Sequence, residues 1–442
     1  MMGPFLGAGV STGLLALLGL GIDRALRLRL ADAGPGCWPL RVLCALAALF
    51  LLALHPLLLL AAVGGAVLAN LRGRSPGPEG MPVARDGRWM ALVTVALLAL
   101  IATRPLVPIA TDEFAWLGKA RLETEGWGAL RRAALDPSWP LFGQAYPMFW
   151  PLSIARLSTL HAGVHGLVAG GGWLVALIGA LFVGTMRAVL VDRRGAPASV
   201  AGMAGVALML LTPFLLVHLR LLHVDLPVGM MVAVVALGLV ACTERADTAT
   251  PWPRAGLTIP AIVLAGLKDE GLFWVLALST AFVLAHRDRR SLRIATMALA
   301  IPTLIPATVW QLTAHASGVV NPERVLTLRV GPRIVPLLVH GFLPHAGDVA
   351  TWGASWGVIG GAVLAVCLWP RRFRPGTRFA TMALAAQGMT LYGVMLFTPP
   401  FIYHAALWQG FILNRLMLQL LPVGAVLVSM IARDLIDAEP TS

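Results

Sequence analysis

RPLVPIATDEFAWLGKARLETEGWGALRRAALDPSWPLFGQAYPMFWPL, from Arg104 to Leu152, is the one long stretch of this 442-residue chain that is neither continuously apolar nor a short basic connector. It opens with Pro105 and Pro108, turns polar at Thr111-Asp112-Glu113, and carries Trp116, Lys119 and Arg121 on helical spacing. Such a pattern does not cross a bilayer. It reads as a large loop following a span, with short amphipathic helices lying against the membrane. Asp112 and Glu113 then stand a few residues beyond an apolar helix, at the water-membrane boundary, where a lipid-borne substrate would need its base.

Outward from this stretch the chain is overwhelmingly apolar: 58% of its residues are hydrophobic and 12% charged. No soluble globule of ordinary composition could keep that surface from water, so the chain is read as a polytopic membrane protein. The apolar runs reach about 18 residues without alternation, which selects helices over barrel strands. The formal net charge of +13 comes almost entirely from arginines in short connectors, a topology signal and not a nucleic-acid surface. Cys37, Cys44, Cys242 and Cys367 show neither ligand-like spacing nor a disulfide framework. The first apolar run lacks a basic leader and a cleavage pattern and is kept as a span.

Apolar runs fall at 5–22, 40–69, 89–103, 173–190, 198–217, 224–242, 255–267, 271–285, 293–315, 351–369, 378–397 and 413–432, about twelve spans in all. They form a single transmembrane domain, 1–442, with 104–172 as an outer loop. Arginines recur in alternate connectors, at Arg72 to Arg88, Arg187 to Arg194, Arg245 and Arg254, Arg287 to Arg293, and Arg371 to Arg378. These belong on the cytoplasmic side, so 104–172, 218–223, the break at Lys268, 316–350 and 398–412 face outward together. The parity requires 148–168 to be a surface or half-inserted helix. It also leaves 23–41, with Arg24, Arg27, Arg29 and Arg41, discordantly outside.

Ionisable residues at the mouths of spans are expensive and therefore candidates for function. Arg220, His223 and Asp225 occur in RLLHVDLPVG between two spans, and Asn414-Arg415 opens the last one. Lys268-Asp269-Glu270-Gly271 divides the apolar stretch from Gly256 to Ala285 into two short helices, an interruption tolerated where it lines a water-filled cavity. Together with Asp112, Glu113, Lys119 and Tyr146 these place acids and bases around one outward pocket. Bland alternatives stand beside each: a helix N-terminal acid for Asp225, a structural ion pair for Lys268 and Glu270, a snorkelling anchor for Arg415. Trp116, Trp127, Trp139 and Trp150 read as an interfacial aromatic belt, and His161, His165, His340 and His345 as interfacial polar residues.

The pattern Asp112-Glu113, Trp116, Lys119-Ala120, Tyr146-Pro147 and Pro151-Leu152 resembles the first outer loop of the multi-span GT-C glycosyltransferases. The closest resemblance is to bacterial membrane proteins related to protein O-mannosyltransferases and the lipid A aminoarabinose transferase. Asp225-Leu226-Pro227, Lys268-Asp269-Glu270-Gly271 (often Lys-Asn-Glu-Gly in relatives) and Asn414-Arg415-Leu416 leading to Leu421-Pro422 are similar to later motifs of that class. The likeness runs from about residue 89 onward. Ala145 stands where relatives often carry an acid before the Tyr-Pro pair, so any role of that acid is absent or moved. The resemblance implies a GT-C-like architecture and transfer of a sugar from a polyprenyl-phosphate donor to a hydroxyl of a lipid, glycan or protein acceptor. It implies inversion at the anomeric carbon, and a bacterial inner-membrane location with the site facing outward.

On that expectation Asp112 is the base and Glu113 its orienter or substitute. Lys119, Arg220, Lys268 and Arg415 meet the leaving phosphate, and Tyr146 and His223 contact substrate. Asp225 and Glu270 either hold a magnesium or manganese ion or fix those basic groups. The rival classes are a secondary transporter or flippase of lipid-linked glycans and a surface-glycan polymerase or ligase. The first predicts inverted repeats and a site at the bilayer midplane. The second predicts a decisive late loop, and 316–350 offers Arg324, Arg329, Arg333, His340 and His345 but only Glu323 and Asp348 as acids.

Overall fold

The computed structural model describes residues 2–26, 28, 30, 37–72, 93, 95–103, 105, 107–108, 111–126, 128–129, 132, 135–136, 147–161, 163–190, 197–244, 255–319 and 330–438. Among the described residues every regular element is helical. Seven helices are long and apolar enough to cross a membrane, and three shorter apolar ones, Gly256–Leu267, Glu270–His286 and Ser355–Leu368, accompany them. The chain is therefore an integral membrane protein of the helical type. Among the described residues these seven fall short of the expected twelve.

Two of the expected runs are broken. The run 40–69 divides at His55 into α2 (Cys37–Leu54), which packs against α1 (Met2–Leu26), and α3 (Pro56–Arg72), which begins afresh. The run 198–217 divides at Thr212 into α4 (Pro197–Leu210) and α5 (Pro213–Arg220). In both, a proline opens the second helix. Its missing N–H and its ring end the preceding hydrogen-bond ladder while suiting a first helical turn. Apolarity alone hides such breaks.

The helices run between two chemically distinct ends. α6 (Val164–Leu190), α7 (Asp225–Glu244) and α8 (Phe411–Ala438) pack together at the centre with α4. The apolar windows of α6 and α7 are both 89% buried, so these two are the core helices about which the others are arranged. α7 and α8 approach so closely that a Cβ on Gly229 would lie 2.7 Å from the Gln419 carbonyl oxygen. That contact puts the first turn of α7 beside the first turns of α8. α9 (Ala255–Leu267) and α10 (Glu270–His286) meet in a sharp bend at Lys268-Asp269. There Gly271 comes so near the Leu264 carbonyl that a Cβ would fall 2.1 Å from it, so only glycine fits.

One end of the bundle carries Asp112, Asp225, Lys268 and Arg415. At the other, Arg433 bridges Glu244 at 2.7 Å and Asp434 at 3.0 Å, and Arg374 reaches Asp437 at 2.5 Å. This second ionic cluster ties the last turns of α7 and α8 to the start of α11 (Pro375–Phe397). α1 starts beside Trp173, whose indole N–H donates to the Phe5 carbonyl at 2.9 Å, and α2 ends where Phe50 packs edge-on against Phe149. Both contacts are at the Asp112 end. Arg24 and Arg41, the latter paired with Asp23 at 3.1 Å, therefore lie at the far end, where the charge pattern puts basic residues, while Arg27 and Arg29 lie outside the described residues. α3, which the unbroken 40–69 run conceals, supplies the additional apolar helix on that path.

The 148–168 region is neither a surface helix nor a full span. α12 (Phe149–Leu157) is a short helix with Phe149, Trp150, Leu152 and Ile154 in the core. Trp116 and Trp150 are 5% and 0% exposed, so they are core residues and not an interfacial belt. Trp127 and Trp139 lie outside the described residues.

Candidate functional site

The stretch Thr111–Thr124 is the helix α13, and its first turn delivers two adjacent carboxylates to different tasks. Glu113 is fully buried and accepts a hydrogen bond from the Leu222 backbone N–H at 2.8 Å. It fixes the segment between α5 and α7. Asp112 points instead to Arg415, with Oδ2 2.6 Å from Nη2.

Arg415 bridges two acids: its Nε lies 2.6 Å from Asp225 Oδ2. The other oxygen of Asp225 accepts from Lys268 Nζ at 3.0 Å and from Gln419 Nε2 at 2.9 Å. Lys268 also meets Glu270 at 2.9 Å, and Gln419 is in turn held by the Trp274 indole N–H at 2.6 Å. Residues 112, 225, 268–270 and 415–419 thus form one network at the starts of α13, α7, α10 and α8. Charge-assisted bonds of this kind are strong only where their members are mutually satisfied. The Asp225 side chain is 0% exposed, whereas Arg415, Asp112 and Glu270 are 15%, 16% and 22% exposed. Asp225 is the buried organiser, and the network opens on the Asp112–Arg415–Glu270 side.

The expected metal role of Asp225 and Glu270 does not fit this geometry, because the Lys268 ammonium sits between the two carboxylates and makes an ion pair with each. A divalent cation bound by both would have to displace it. Among the described residues no three histidine, cysteine or carboxylate side chains gather in a way that could hold a metal ion.

Of the other expected residues, Arg220 is exposed and donates to the Thr103 carbonyl at 3.3 Å. Tyr146 lies outside the described residues. Lys119 is fully buried, its ammonium 4.8 Å from the centre of the Trp116 ring. Burial pulls its pKa down to about 7, against the opposing field of Asp269. Its stability contribution follows by linkage. The unfolded chain binds a proton at Lys119 up to about pH 10.5 and the folded protein only up to about 7, so stability rises with pH across that window, by up to about 1.4 kcal/mol per unit. Lys119→Met removes this slope. Thermal unfolding of both proteins between pH 6.5 and 10 reads it, and parallel curves would refute the burial of a charged lysine.

Sequence reasoning misses Gln419, Trp274 and His218. His218 and His223 are 2% and 3% exposed, with rings 5.4 Å apart. Desolvation lowers the pKa of His218 to about 4 and also lowers that of His223, which has Arg415, Asp225, Asp112 and Glu113 within electrostatic range. Both imidazoles are neutral at physiological pH. The only sequence signal for His218 was its spacing, five residues before His223 on the same inter-span segment.

No family model, no curated protein and no solved structure matches the chain.

Proposed function

We propose that the network is the active site of a membrane glycosyltransferase of GT-C type, moving a sugar from a polyprenyl-phosphate donor to an acceptor hydroxyl. The observation that carries this reading is one half-open guanidinium, Arg415, shared by a partly exposed carboxylate and a fully buried one, with the Lys268 ammonium on the same buried acid. A lipid phosphate entering from the open side meets two fixed cations. As it takes up Arg415 it loosens the bond to Asp112, and that carboxylate becomes free to accept the acceptor's proton.

In the reaction the acceptor oxygen attacks the anomeric carbon and its proton passes to Asp112. The bond from that carbon to the phosphate oxygen breaks, and the polyprenyl phosphate departs with its added charge held by Arg415 and Lys268. Inversion at the anomeric centre requires that the acceptor attack the face of the sugar away from the phosphate. Asp225, Gln419 and Trp274 position the two cations and touch no substrate. No step requires a magnesium or manganese ion. Among the described residues Arg187, Arg287 to Arg293 and Arg371 to Arg378 lie at the ends of helices away from Asp112, which supports a cytoplasmic far end and a site on the outer face of a bacterial inner membrane.

The test is to incubate the purified protein in nanodiscs with a panel of polyprenyl-phosphate sugars labelled in the sugar. Label is expected to leave the lipid for an acceptor, with release of polyprenyl phosphate. If no donor is consumed, while proteoliposomes carry lipid-linked glycan across the bilayer, the protein is a flippase and the transferase reading fails.

A further inference from the structure

Beside the ionic network lies a ladder of rings with a different chemistry. The His223 ring stands edge-on to His218 at 5.4 Å, His218 lies 4.2 Å from Phe214, Phe214 is 5.3 Å from Trp352, and Trp352 is 5.7 Å from Trp356. Five ring nitrogens along it are buried without a hydrogen-bond partner: His218 Nε2, both nitrogens of His223, and the indole nitrogens of Trp352 and Trp356. A buried polar atom that nothing meets is costly, so a group of five is a poor way to build a core.

The hydrogen-bond polarity of the ladder is specific. His218 Nδ1 lies 3.0 Å from the Phe214 carbonyl oxygen, which can only accept. Nδ1 therefore carries the proton, and Nε2 offers a lone pair. Neutral His223 presents one donor and one acceptor, and the two indoles present donors alone. A phosphate oxygen could satisfy the donors but not the lone pairs. A hydroxyl satisfies both. The ladder is tied to the network through its first member, since Glu113 holds Leu222 and Asp225 follows His223 by two residues.

We propose that His223, His218 and the indoles of Trp352 and Trp356 form a subsite for a neutral polyhydroxylated ring, a sugar, held by hydroxyl hydrogen bonds next to the charged centre. The assignment deepens the transferase reading and rests on it. It gives the expected substrate contact of His223 a stated partner, a sugar hydroxyl, and it makes the histidine pair the determinant of which hydroxylated ring is accepted. The same chemistry could come from the donor's sugar or from a glycan acceptor.

The experiment measures binding to the full chain in nanodiscs by calorimetry, with three probes. These are decaprenyl phosphate, decaprenyl phosphate carrying one hexose or pentose, and a free trisaccharide. The wild type is expected to prefer the sugar-bearing lipid to the bare one by about tenfold if the donor sugar fills the subsite, or to bind the trisaccharide if the acceptor does. His223→Phe is expected to abolish that preference or that binding while leaving bare decaprenyl phosphate unchanged, and His223→Gln to restore it, since an amide keeps one donor and one acceptor. The melting temperature of His223→Phe is expected not to fall, because the lost nitrogens bond to nothing in the protein. The subsite is overturned if neither sugar probe shows a preference in the wild type, if His223→Phe keeps it, or if that variant weakens the bare lipid equally. Absence of bare decaprenyl phosphate binding would strike the transferase reading instead, and the trisaccharide would still test the ladder.

Discussion

Arg415→Met should both destabilise the protein and abolish turnover, and the two losses should come apart in a double variant. Removing the guanidinium leaves Asp225, fully buried, with Lys268 and Gln419 on one oxygen and nothing opposite the other. Breaking a buried pair in this way costs up to about 3–5 kcal/mol, because Asp225 keeps Lys268 but loses the cation on its second oxygen, and Lys268 alone then faces both Asp225 and Glu270. Arg415 is also the cation on the open side, and loss of one such group from a transition state costs about 10²–10³ in rate. Asp225→Asn combined with Arg415→Met removes the stranded charge and should recover most of the thermal stability. Turnover should not return. Unfolding in detergent and donor consumption, measured on all three variants, read the two quantities separately. If the double variant is as unstable as the single one, Asp225 is not the acid that Arg415 neutralises.

Asp112→Asn should give the opposite balance: a large kinetic effect with a small structural one. The Asp112 and Arg415 side chains are 16% and 15% exposed, and the amide oxygen of the asparagine still accepts from Arg415, so the substitution removes a charge but not the hydrogen bond. Its amide keeps the shape and can still face the acceptor hydroxyl, but it accepts no proton. General-base loss costs about 10²–10⁴ in turnover. Binding of bare decaprenyl phosphate should be unchanged or tighter, since Arg415 no longer has Asp112 to compete for it. Full turnover in Asp112→Asn would remove the assigned base, and weaker lipid binding would contradict the competition for Arg415.

The parts of this site that were legible in the sequence are those where polarity interrupts apolarity. Asp112, Asp225, Lys268 and Arg415 are charged residues at the mouths of apolar runs, where charge is costly, and the fold brings all four into one network. What could not be read is what depends on the third dimension. Gln419 is an uncharged residue inside a long apolar helix, and only the close α7–α8 crossing at Gly229 shows that its amide reaches Asp225. Asp112 and Glu113 are neighbours of the same type, yet α13 turns one to Arg415 and the other to a backbone N–H. Nor does sequence separate a lysine on a wetted face from one that is fully buried, as Lys119 is. Spans fared likewise. Helical type and the arginine alternation follow from composition, but the proline breaks at Pro56 and Pro213 vanish into the average hydropathy of their surroundings.

The most direct test is a structure of the protein in nanodiscs with decaprenyl phosphate bound. The expected result is a phosphate within hydrogen-bond distance of both Arg415 and Lys268, with Arg415 drawn off Asp112 and still joined to Asp225. A phosphate seated at the opposite end, against Arg374 and Arg433, with the Asp112–Arg415 pair intact, would contradict it.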